Sequence, residues 1–401
     1  MYSREKYMNK IKGSFIGGAA GDALGYSVEF LQDYQIFEKY GEKGITEYSL
    51  TNGIAQISDD TQMSLFTANC VLFAETRLRM RGIGGDPAMY ACSFYQDWLI
   101  TQERDYDREN PVKRYDNGCG LSWLLDIPDL FSRRAPGSTC ISALNMRKNG
   151  FGKEDYMDYT KNPINHSKGC GGIMRIAPVG LYYNSKSRDW VRGLDIMSVK
   201  MSAITHGHSL GYMPSAVLVH ILNRIVYPFD ESMTLKDIII DARDTVAELY
   251  SRDPYVERLK DIINKAIALS ENKLDDLENI QRLGEGWVAE ETLAIAIYCS
   301  LRHQDSFSGG IIAAVNHSGD SDSTGAVTGN ILGALLGYDS IEEKWLKNLE
   351  MIDVLNEMAE DLCHGCQMSE YGDYFDKDWN RKYVEAYWSH TCFQNKKSTK
   401  V

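Results

Sequence analysis

Apolar residues recur with helical spacing along much of the chain. Steps of three and four residues place apolar side chains on one helix face in five segments: 62–78, 185–205, 234–250, 255–269 and 352–362. Thr234 stands where an N-cap residue is expected. Alternating apolar and polar positions are hard to find, and the β-branched run 238–240 lies inside a helical pattern. The pattern predicts an all-α protein.

Regular signals are weak in three segments: 30–60, 82–90 and 101–175. The last of these is long for a structureless connection, and connections of that length tend to be functional or partly helical. No Pro-rich or Ser-rich linker divides the chain. We therefore expect one compact domain of orthogonal helices over residues 1–401, with a loop-rich insertion at 82–165, long surface loops and a flexible tail at 390–401.

Two runs of small residues, 17–25 and 329–337, have Gly or Ala at every third or fourth position. An interior glycine costs a helix about 1 kcal/mol relative to alanine, so these glycines need a structural reason. The natural reason is close packing of two helices against each other. The runs predict a tightly packed central helix pair.

The net charge limits the classes of partner. The 401 residues include 43 Lys and Arg against 56 Asp and Glu, a formal net charge of −13. Nucleic acids and anionic membranes attract basic surfaces, so we expect neither as a partner. An uninterrupted apolar run of about 18 residues, the length that crosses a bilayer, does not occur in the sequence.

The cysteines and the first residues indicate the compartment. Nine cysteines is an odd number, and their scattered positions favour reduced thiols over a disulfide framework. Residues 1–15 contain no apolar core of signal-peptide length before the charged positions. We expect a cytoplasmic protein. The single CxxC, at 363–366, has no second pair to complete a zinc site, and we expect it to be structural or incidental.

Acidic residues cluster at two predicted helix starts, at 58–60 and at 320–322, each flanked by hydroxyl side chains. N-capping explains either cluster alone. If the two helix starts converge, however, four carboxylates meet, and their mutual repulsion requires cations. Oxygen donors from Asp and Ser suit Mg²⁺, or Mn²⁺ as a close substitute. The residues alone leave both interpretations open, helix caps and a binuclear metal site.

Five segments occur in an order shared with a known family. They are GSFIGGAAGDALGYSVEF (13–30), SDDTQM (58–63), SKGCGGIMRIAPVGL (167–181), THGHSLGY (205–212) and NHSGDSDSTGAVTGNILGALLG (316–337). In these segments the chain resembles the ADP-ribosylglycohydrolases, from about residue 10 to about residue 360, with 82–165 matching least. The resemblance implies an all-α domain built around a central binuclear metal site.

The resemblance also implies which residues bind the metal. Carried over by position, the ligands of two Mg²⁺ or Mn²⁺ ions are Ser58, Asp59, Asp60, Asp320, Asp322 and Ser323. The family more often has threonine where Ser323 stands, and serine keeps the ligating hydroxyl. The implied catalytic residues are Glu29, which ends the G-D-A-L-G-x-x-x-E stretch, together with Asp60 and Asp322.

For the substrate, the resemblance implies that Gly169, Cys170, Gly171 and Gly172 wrap an ADP-ribose and that His206 lines the nucleotide pocket. Asparagine is frequent in the family in place of Cys170. Glycine runs let backbone N–H groups approach a pyrophosphate, which agrees with this assignment. Neither glycine run has the G-x-G-x-x-G spacing of a dinucleotide fold. Without the resemblance, His206 is equally well explained as an ordinary packed histidine.

The function implied is hydrolysis of the bond between ADP-ribose and a modified protein side chain, with release of free ADP-ribose. We favour an N-linked arginine adduct over an O-linkage. The expected partners are an ADP-ribosylated protein and ADP-ribose. Three alternatives are a non-catalytic ADP-ribose-binding protein, an immunity protein that neutralises an ADP-ribosylating toxin by hydrolysis or by direct binding, and a metal-dependent phosphatase. For direct binding, the loop-rich 82–165 region is the candidate partner surface.

Overall fold

The computed structural model of the protein describes residues 5–109, 120–149, 158–185 and 187–385. Within these ranges the longer α-helices are α1 (Glu5–Tyr26), α2 (Asp33–Tyr40), α3 (Asp59–Arg81), α4 (Ala91–Glu103), α5 (Ser138–Lys148), α6 (Ala177–Tyr182), α7 (Arg188–Ser202), α8 (Ser209–Val226), α9 (Leu235–Leu249), α10 (Val256–Ser270), α11 (Asp276–Leu283), α12 (Ala289–Arg302), α13 (Phe307–Val315) and α14 (Ser321–Leu336). They are followed by α15 (Glu343–Leu346), α16 (Ile352–His364) and α17 (Lys377–Asn380). Extended pairing in the same ranges is limited to isolated β-bridges. The all-α prediction is confirmed.

Short 3₁₀-helices connect several of these elements: Pro87–Met89, Trp123–Asp126, Pro128–Leu130, Cys170–Gly172 and Tyr338–Ser340. A π-helical turn, Arg381–Glu385, follows α17. The 3₁₀-turn Cys170–Gly172 forms most of the predicted glycine run 169–172, and Gly169 precedes it as the N-cap residue. It therefore has a defined conformation in the fold.

Each of the five segments with a helical stripe overlaps one helix, α3, α7, α9, α10 or α16. Helices α7, α9, α10 and α16 bury one apolar face, whereas α3 is buried on nearly all sides from Asp59 to Ala74. The start of α9 shows how local chemistry sets a boundary. The Thr234 hydroxyl accepts a hydrogen bond from the Asp237 N–H at 3.2 Å, and the Asp237 carboxylate accepts one from the Thr234 N–H at 3.0 Å. This reciprocal capping box satisfies two N–H groups at the helix start.

Helices α2, α4 and α5 lie in regions where the sequence pattern is weak or short. Nearly every residue of α4 from Phe94 to Gln102 is buried, and a helix buried on all sides shows no one-sided stripe. The segment 101–175 is partly helical, as expected, since it contains α5. Parts of the proposed insertion, 110–119 and 150–157, and the proposed tail at 390–401 lie outside the described residues.

Helices α1 and α14 pack antiparallel along their small-residue runs. A methyl group on Gly17 would lie 2.7 Å from the Gly329 carbonyl oxygen, so only glycine permits this approach. The contact repeats every four residues, pairing Gly13 with Gly333, Gly21 with Gly325 and Gly25 with Ser321. The predicted close helix pair is confirmed. Its register places the start of α14 beside the end of α1.

One contiguous apolar core extends in sequence from Ile11 to Tyr383. The described residues contain no helix that is long and apolar enough to span a bilayer. The seven cysteines within the described ranges are not joined in disulfides. Cys363 and Cys366 of the CxxC are both buried.

Candidate active site

The two acidic clusters meet in one cavity of about 400 Å³. The first cluster begins α3, and the second begins α14 beside the end of α1. The predicted site residues that line the cavity are Glu29, Asp59, Asp60, Gly169, Cys170, Gly171, His206, Asp320, Asp322 and Ser323. Ser58 and Gly172 are buried and do not line the cavity. Tertiary packing therefore brings together residues about 260 positions apart in the sequence.

Both clusters also cap their helices. The Ser58 hydroxyl accepts a hydrogen bond from the Asp60 N–H at 3.2 Å, and the Asp320 carboxylate accepts one from the Ser323 N–H at 3.3 Å. These bonds satisfy N–H groups at the helix starts. The capping interpretation is correct for Ser58 and Asp320. It does not exclude a cation site, since a carboxylate has several lone pairs.

Asp22 supports the first cluster from α1 and was not among the predicted site residues. Its carboxylate accepts hydrogen bonds from the Ser58 N–H at 3.0 Å, from the Thr61 N–H at 3.1 Å and from the Thr61 hydroxyl. Burial, and next the charge of Asp322, raise the pKa of Asp22 to about 7. The signal in the sequence was a lone aspartate inside the otherwise small and apolar run 13–25.

The cavity carboxylates are costly to ionise together. Burial raises the pKa values of Asp59, Asp60 and Asp320 well above the ordinary value, and the charge of Asp322 raises them further. Burial also raises the pKa of Asp322 itself. Burial, followed by repulsion from Asp322, raises the pKa of Glu29 to about 10. Such an array needs either protons or a cation to offset its charge.

The donor set fits hard divalent cations. Asp60 Oδ2 and Glu29 Oε2 are buried and have no hydrogen-bond partner, although buried polar atoms are normally paired. Among the described residues, no group of three or more His, Cys, Asp and Glu side chains stands in metal-binding geometry. The fit therefore rests on the donor chemistry of the two clusters, whose Asp and Ser side chains offer only oxygen, the type that Mg²⁺ and Mn²⁺ prefer.

Cys170 links the glycine run to the second cluster. Its thiol donates a hydrogen bond to Asp320 Oδ2 at 2.8 Å, and its backbone N–H donates to the Trp287 carbonyl oxygen at 3.3 Å. A methyl group on Gly171 would lie 2.7 Å from both Cys140 Sγ and His206 Cε1. Gly171 is therefore required for the wall of the cavity to close at this point.

His206 is held neutral in that wall. The Arg175 guanidinium donates to the Thr205 hydroxyl at 2.7 Å, and this hydroxyl lies 2.9 Å from His206 Nδ1. Because Arg175 can only donate, the Thr205 hydroxyl accepts from it and directs its own proton to Nδ1. Nε2 then carries the imidazole hydrogen and faces Gly169. Burial, and next the charge of Arg175, lower the pKa of His206 to about 3.

A wall of the cavity comes from the segment that matched the family pattern least. Residues 135–140 line the cavity. The Asp59 N–H donates to the Arg134 carbonyl oxygen at 3.0 Å, and the Gly137 N–H donates to Asp59 Oδ2 at 3.2 Å. Sequence analysis missed this wall because its contacts are made mainly by the backbone, which leaves little trace in residue type.

Two aromatic side chains complete the mouth of the cavity. Phe30, which follows Glu29, and Trp287, which precedes α12, are stacked with ring centroids 6.3 Å apart. Neither was predicted. A larger cavity of about 730 Å³ lies near the other end of α3 and contains no member of either acidic cluster.

A model of the ADP-ribosylglycohydrolase family matches residues 3–372. The chain belongs to the ADP-ribosylglycohydrolase family. ADP-ribosylhydrolase ARH3 of Bos taurus is 27% identical over 220 residues, which cover 49% of this chain and 57% of the bovine protein. The chain thus matches little more than half the length of that relative.

Two further relatives match over most of the chain. ADP-ribosyl-[dinitrogen reductase] glycohydrolase of Rhodospirillum rubrum is 25% identical over 346 residues, which cover 84% of this chain and 90% of that protein. ADP-ribosylarginine hydrolase Tri1 of Serratia proteamaculans (strain 568) is 23% identical over 359 residues, covering 88% and 79%. A solved structure described as an ADP-ribosylglycohydrolase-related protein complex superposes with a TM-score of 0.56 at 21% identity, over 90% of this chain and 98% of that one. This family member shares its fold with that structure.

Proposed function

We propose that the protein hydrolyses the N-glycosidic bond between ADP-ribose and a modified arginine side chain and releases free ADP-ribose. The observation that carries this proposal is the meeting of the 58–60 and 320–323 clusters in one cavity, with the glycine run and a neutral His206 in its wall. Membership of the ADP-ribosylglycohydrolase family supports the class of reaction.

Two Mg²⁺ or Mn²⁺ ions are part of the proposal. Their ligands would be Ser58, Asp59, Asp60, Asp320, Asp322 and Ser323. When bound, such ions would act as Lewis acids and as a template that orients the ribose hydroxyls and a water molecule. The unpartnered Oδ2 of Asp60 and the raised pKa values around it support this assignment.

The carboxyl groups of the cavity have separate roles in the proposed reaction. Glycosidic cleavage develops positive charge on the sugar ring, and the surrounding carboxylates stabilise that charge. Asp60 and Asp322 are proposed to orient the attacking water and to accept its proton on a carboxylate oxygen. Glu29 lies in the same cavity, and its raised pKa suits a carboxyl that holds a proton for the leaving nitrogen. A group in such a role contributes a factor of about 10²–10⁴.

The remaining wall suits the nucleotide. The glycine run permits close approach of the backbone to a pyrophosphate. Nε2–H of His206 offers one fixed donor beside Gly169. Since His206 stays uncharged, it can orient the ligand through one hydrogen bond and adds no positive charge to the site.

Two considerations favour the arginine linkage. The 28–30 environment resembles that of the arginine-directed members, and a relative that matches 88% of this chain is named an ADP-ribosylarginine hydrolase. The lining of the cavity contains no Lys or Arg among the described residues, so no basic side chain of the lining repels a cationic guanidinium.

The decisive experiment compares arginine-linked and serine-linked ADP-ribosyl peptides in the presence of Mg²⁺ or Mn²⁺, with released ADP-ribose as the readout. We expect faster release from the arginine peptide. Asp60→Asn and Asp322→Asn should each abolish release, while Asp261→Asn, an exposed change on α10, should leave it intact. No release from either peptide would sink the proposal, and full activity in both site variants would discard the metal assignment.

The alternative of a non-catalytic member would be indicated by missing carboxylates, whereas all four aspartates line the cavity. Nucleotide binding that persists in EDTA without turnover would revive it. Toxin neutralisation stays a prediction about the 82–165 region. Binding of an ADP-ribosylating toxin by the protein would support it.

A further inference from the structure

The stacked pair of Phe30 and Trp287 is an exposed aromatic surface at the mouth of the cavity. Their side chains are 69% and 40% exposed, and their ring planes are inclined by 24°. The two residues come from different parts of the fold, the turn after α1 and the loop before α12. Single exposed apolar residues are common on protein surfaces and need no explanation. Two rings stacked at the rim of a candidate site, in contrast, offer a contact surface for a ligand.

The backbone on both sides of this pair is anchored to the site. The Asp320 N–H donates to the Glu285 carbonyl oxygen at 2.8 Å, and the Ala289 N–H donates to the Lys168 carbonyl oxygen at 2.9 Å. These bonds tie the loop of Trp287 to both the second acidic cluster and the glycine run. Phe30 directly follows Glu29, whose carboxyl enters the cavity. The rings therefore stand at fixed positions beside the carboxylates.

Glu29 is proposed above to hold a proton for the leaving nitrogen, and its neighbour Phe30 therefore places the aromatic pair on the leaving-group side of the cavity. In the proposed reaction that group is the guanidinium of arginine, a planar cation. Guanidinium groups stack on aromatic faces, and tryptophan provides the strongest such face. Among the described residues, the lining of the cavity contains no Lys or Arg that would compete for the aromatic faces. A serine hydroxyl has neither the charge nor the flat surface for this contact.

We propose that Phe30 and Trp287 form the subsite that receives the guanidinium of the modified arginine, and that this subsite selects the arginine linkage over the serine linkage. The inference rests on the proposed function, because it assigns the leaving-group side of the same cavity. Both residues are specificity-determining residues that touch the substrate outside the reacting bond.

The test uses Phe30→Leu and Trp287→Leu with the two linkages on otherwise identical peptides. We expect kcat/KM for the arginine peptide to fall about 3- to 30-fold, the range of a cation–π contact, mainly through KM. The value for the serine peptide should change by less than about twofold. Trp287→Phe should restore most of the selectivity, because it keeps an aromatic face.

Two exposed aromatic residues away from the cavity serve as matched controls. Trp190 and Phe375 are each 63% exposed, so Trp190→Leu and Phe375→Leu remove comparable surface without touching the mouth. Both should retain wild-type selectivity, and all four leucine variants should unfold at similar temperatures. An equal loss on both peptides in the mouth variants would overturn the inference and indicate instead that the pair stacks on adenine.

A binding measurement separates failure of the inference from failure of the proposed function. Agmatine, a small guanidinium compound, is titrated into the wild-type protein and into Trp287→Leu, with tryptophan fluorescence as the readout. Saturable quenching that is lost in Trp287→Leu supports the subsite, even if the wild type releases no ADP-ribose from arginine peptides. Equal responses of the two proteins overturn the subsite, even if the arginine peptide is hydrolysed.

Discussion

Asp22 on α1 accepts the backbone N–H of Ser58 through both carboxylate oxygens, at 3.0 and 3.1 Å. The same carboxylate bonds the N–H and hydroxyl of Thr61. One buried side chain thereby holds the first turn of α3 at the position where its carboxylates face those of α14. The geometry of the candidate metal site depends on this contact between two helices.

Replacing Asp22 by alanine should leave the N–H groups of Ser58 and Thr61 buried without an acceptor. A buried unsatisfied donor costs about 1–3 kcal/mol, so we expect a loss of at least that size in the free energy of unfolding, measured by urea denaturation. Hydrolysis should fall as well, since the first cluster loses its support. Asp261→Asn, on the surface, is the control. Wild-type stability in Asp22→Ala would show that these hydrogen bonds are not structural.

Alanine substitutions at two helical glycines should have opposite effects on stability, because only one of the two glycines lies in the close contact between α1 and α14. Gly17→Ala would place a methyl group 2.7 Å from the Gly329 carbonyl oxygen and 3.0 Å from the Phe307 ring. Overpacking of this kind costs about 1–3 kcal/mol, seen as a lower midpoint of thermal unfolding. Gly193→Ala on α7 meets no atom within 4 Å and should stabilise the protein by about 1 kcal/mol through helix propensity. A neutral effect of Gly17→Ala would contradict the packing.

Replacing one cavity carboxylate by its neutral amide should stabilise the protein without metal and destabilise it, relative to the wild type, with metal. Because burial raises the pKa of Asp60, its ionised form destabilises the metal-free fold above the ordinary aspartate pKa. The cost is about 1.4 kcal/mol for each tenfold difference in proton affinity between the folded and unfolded states. In EDTA at neutral pH, Asp60→Asn should therefore be more stable than the wild type.

With Mn²⁺ the wild type should instead be more stable than Asp60→Asn. Its free energy of unfolding rises by about 2.7 kcal/mol when the ion is at a hundredfold excess over Kd. Calorimetric unfolding of wild type and Asp60→Asn in both buffers checks this. An unchanged order would argue against cation binding at Asp60.

His206 should give the protein a specific sensitivity to acid. Its folded-state pKa of about 3 lies below the ordinary value of about 6.5, so the unfolded chain binds more protons between these two values. Stability contributed by neutral His206 is present above pH 6.5 and is lost as the pH falls through this window. The loss reaches about 2 kcal/mol by pH 5.

His206→Gln should lack this part of the pH dependence, whereas the exposed change His166→Gln should keep it. Urea unfolding between pH 5 and pH 7 provides the measurement. If His206→Gln and the wild type lose stability in parallel, His206 is not held neutral by its surroundings.

The sequence was sufficient for features that depend on local periodicity or on residue type alone. Helices such as α9 were predictable because one face is apolar and Thr234 supplies a cap. The two acidic clusters were visible because carboxylates beside small apolar runs are conspicuous. Helix α4 was not predictable from its sequence pattern, because burial on all sides removes the contrast between an apolar and a polar face. The wall at 135–140 was missed because its bonds are made mainly by backbone atoms.

What the sequence by itself determined is the all-α class, the close pair α1 and α14, and the oxygen-donor residue types of the two acidic clusters. Only the tertiary structure decided that the clusters meet, that Asp22 supports them, and that Phe30 and Trp287 stand together at the mouth. The physical reason is the separation along the chain over which each interaction acts. Helix periodicity and caps act over a few residues, whereas convergence of 58–60 with 320–323 depends on the antiparallel register of two glycine-rich helices, which is a property of the packed chain.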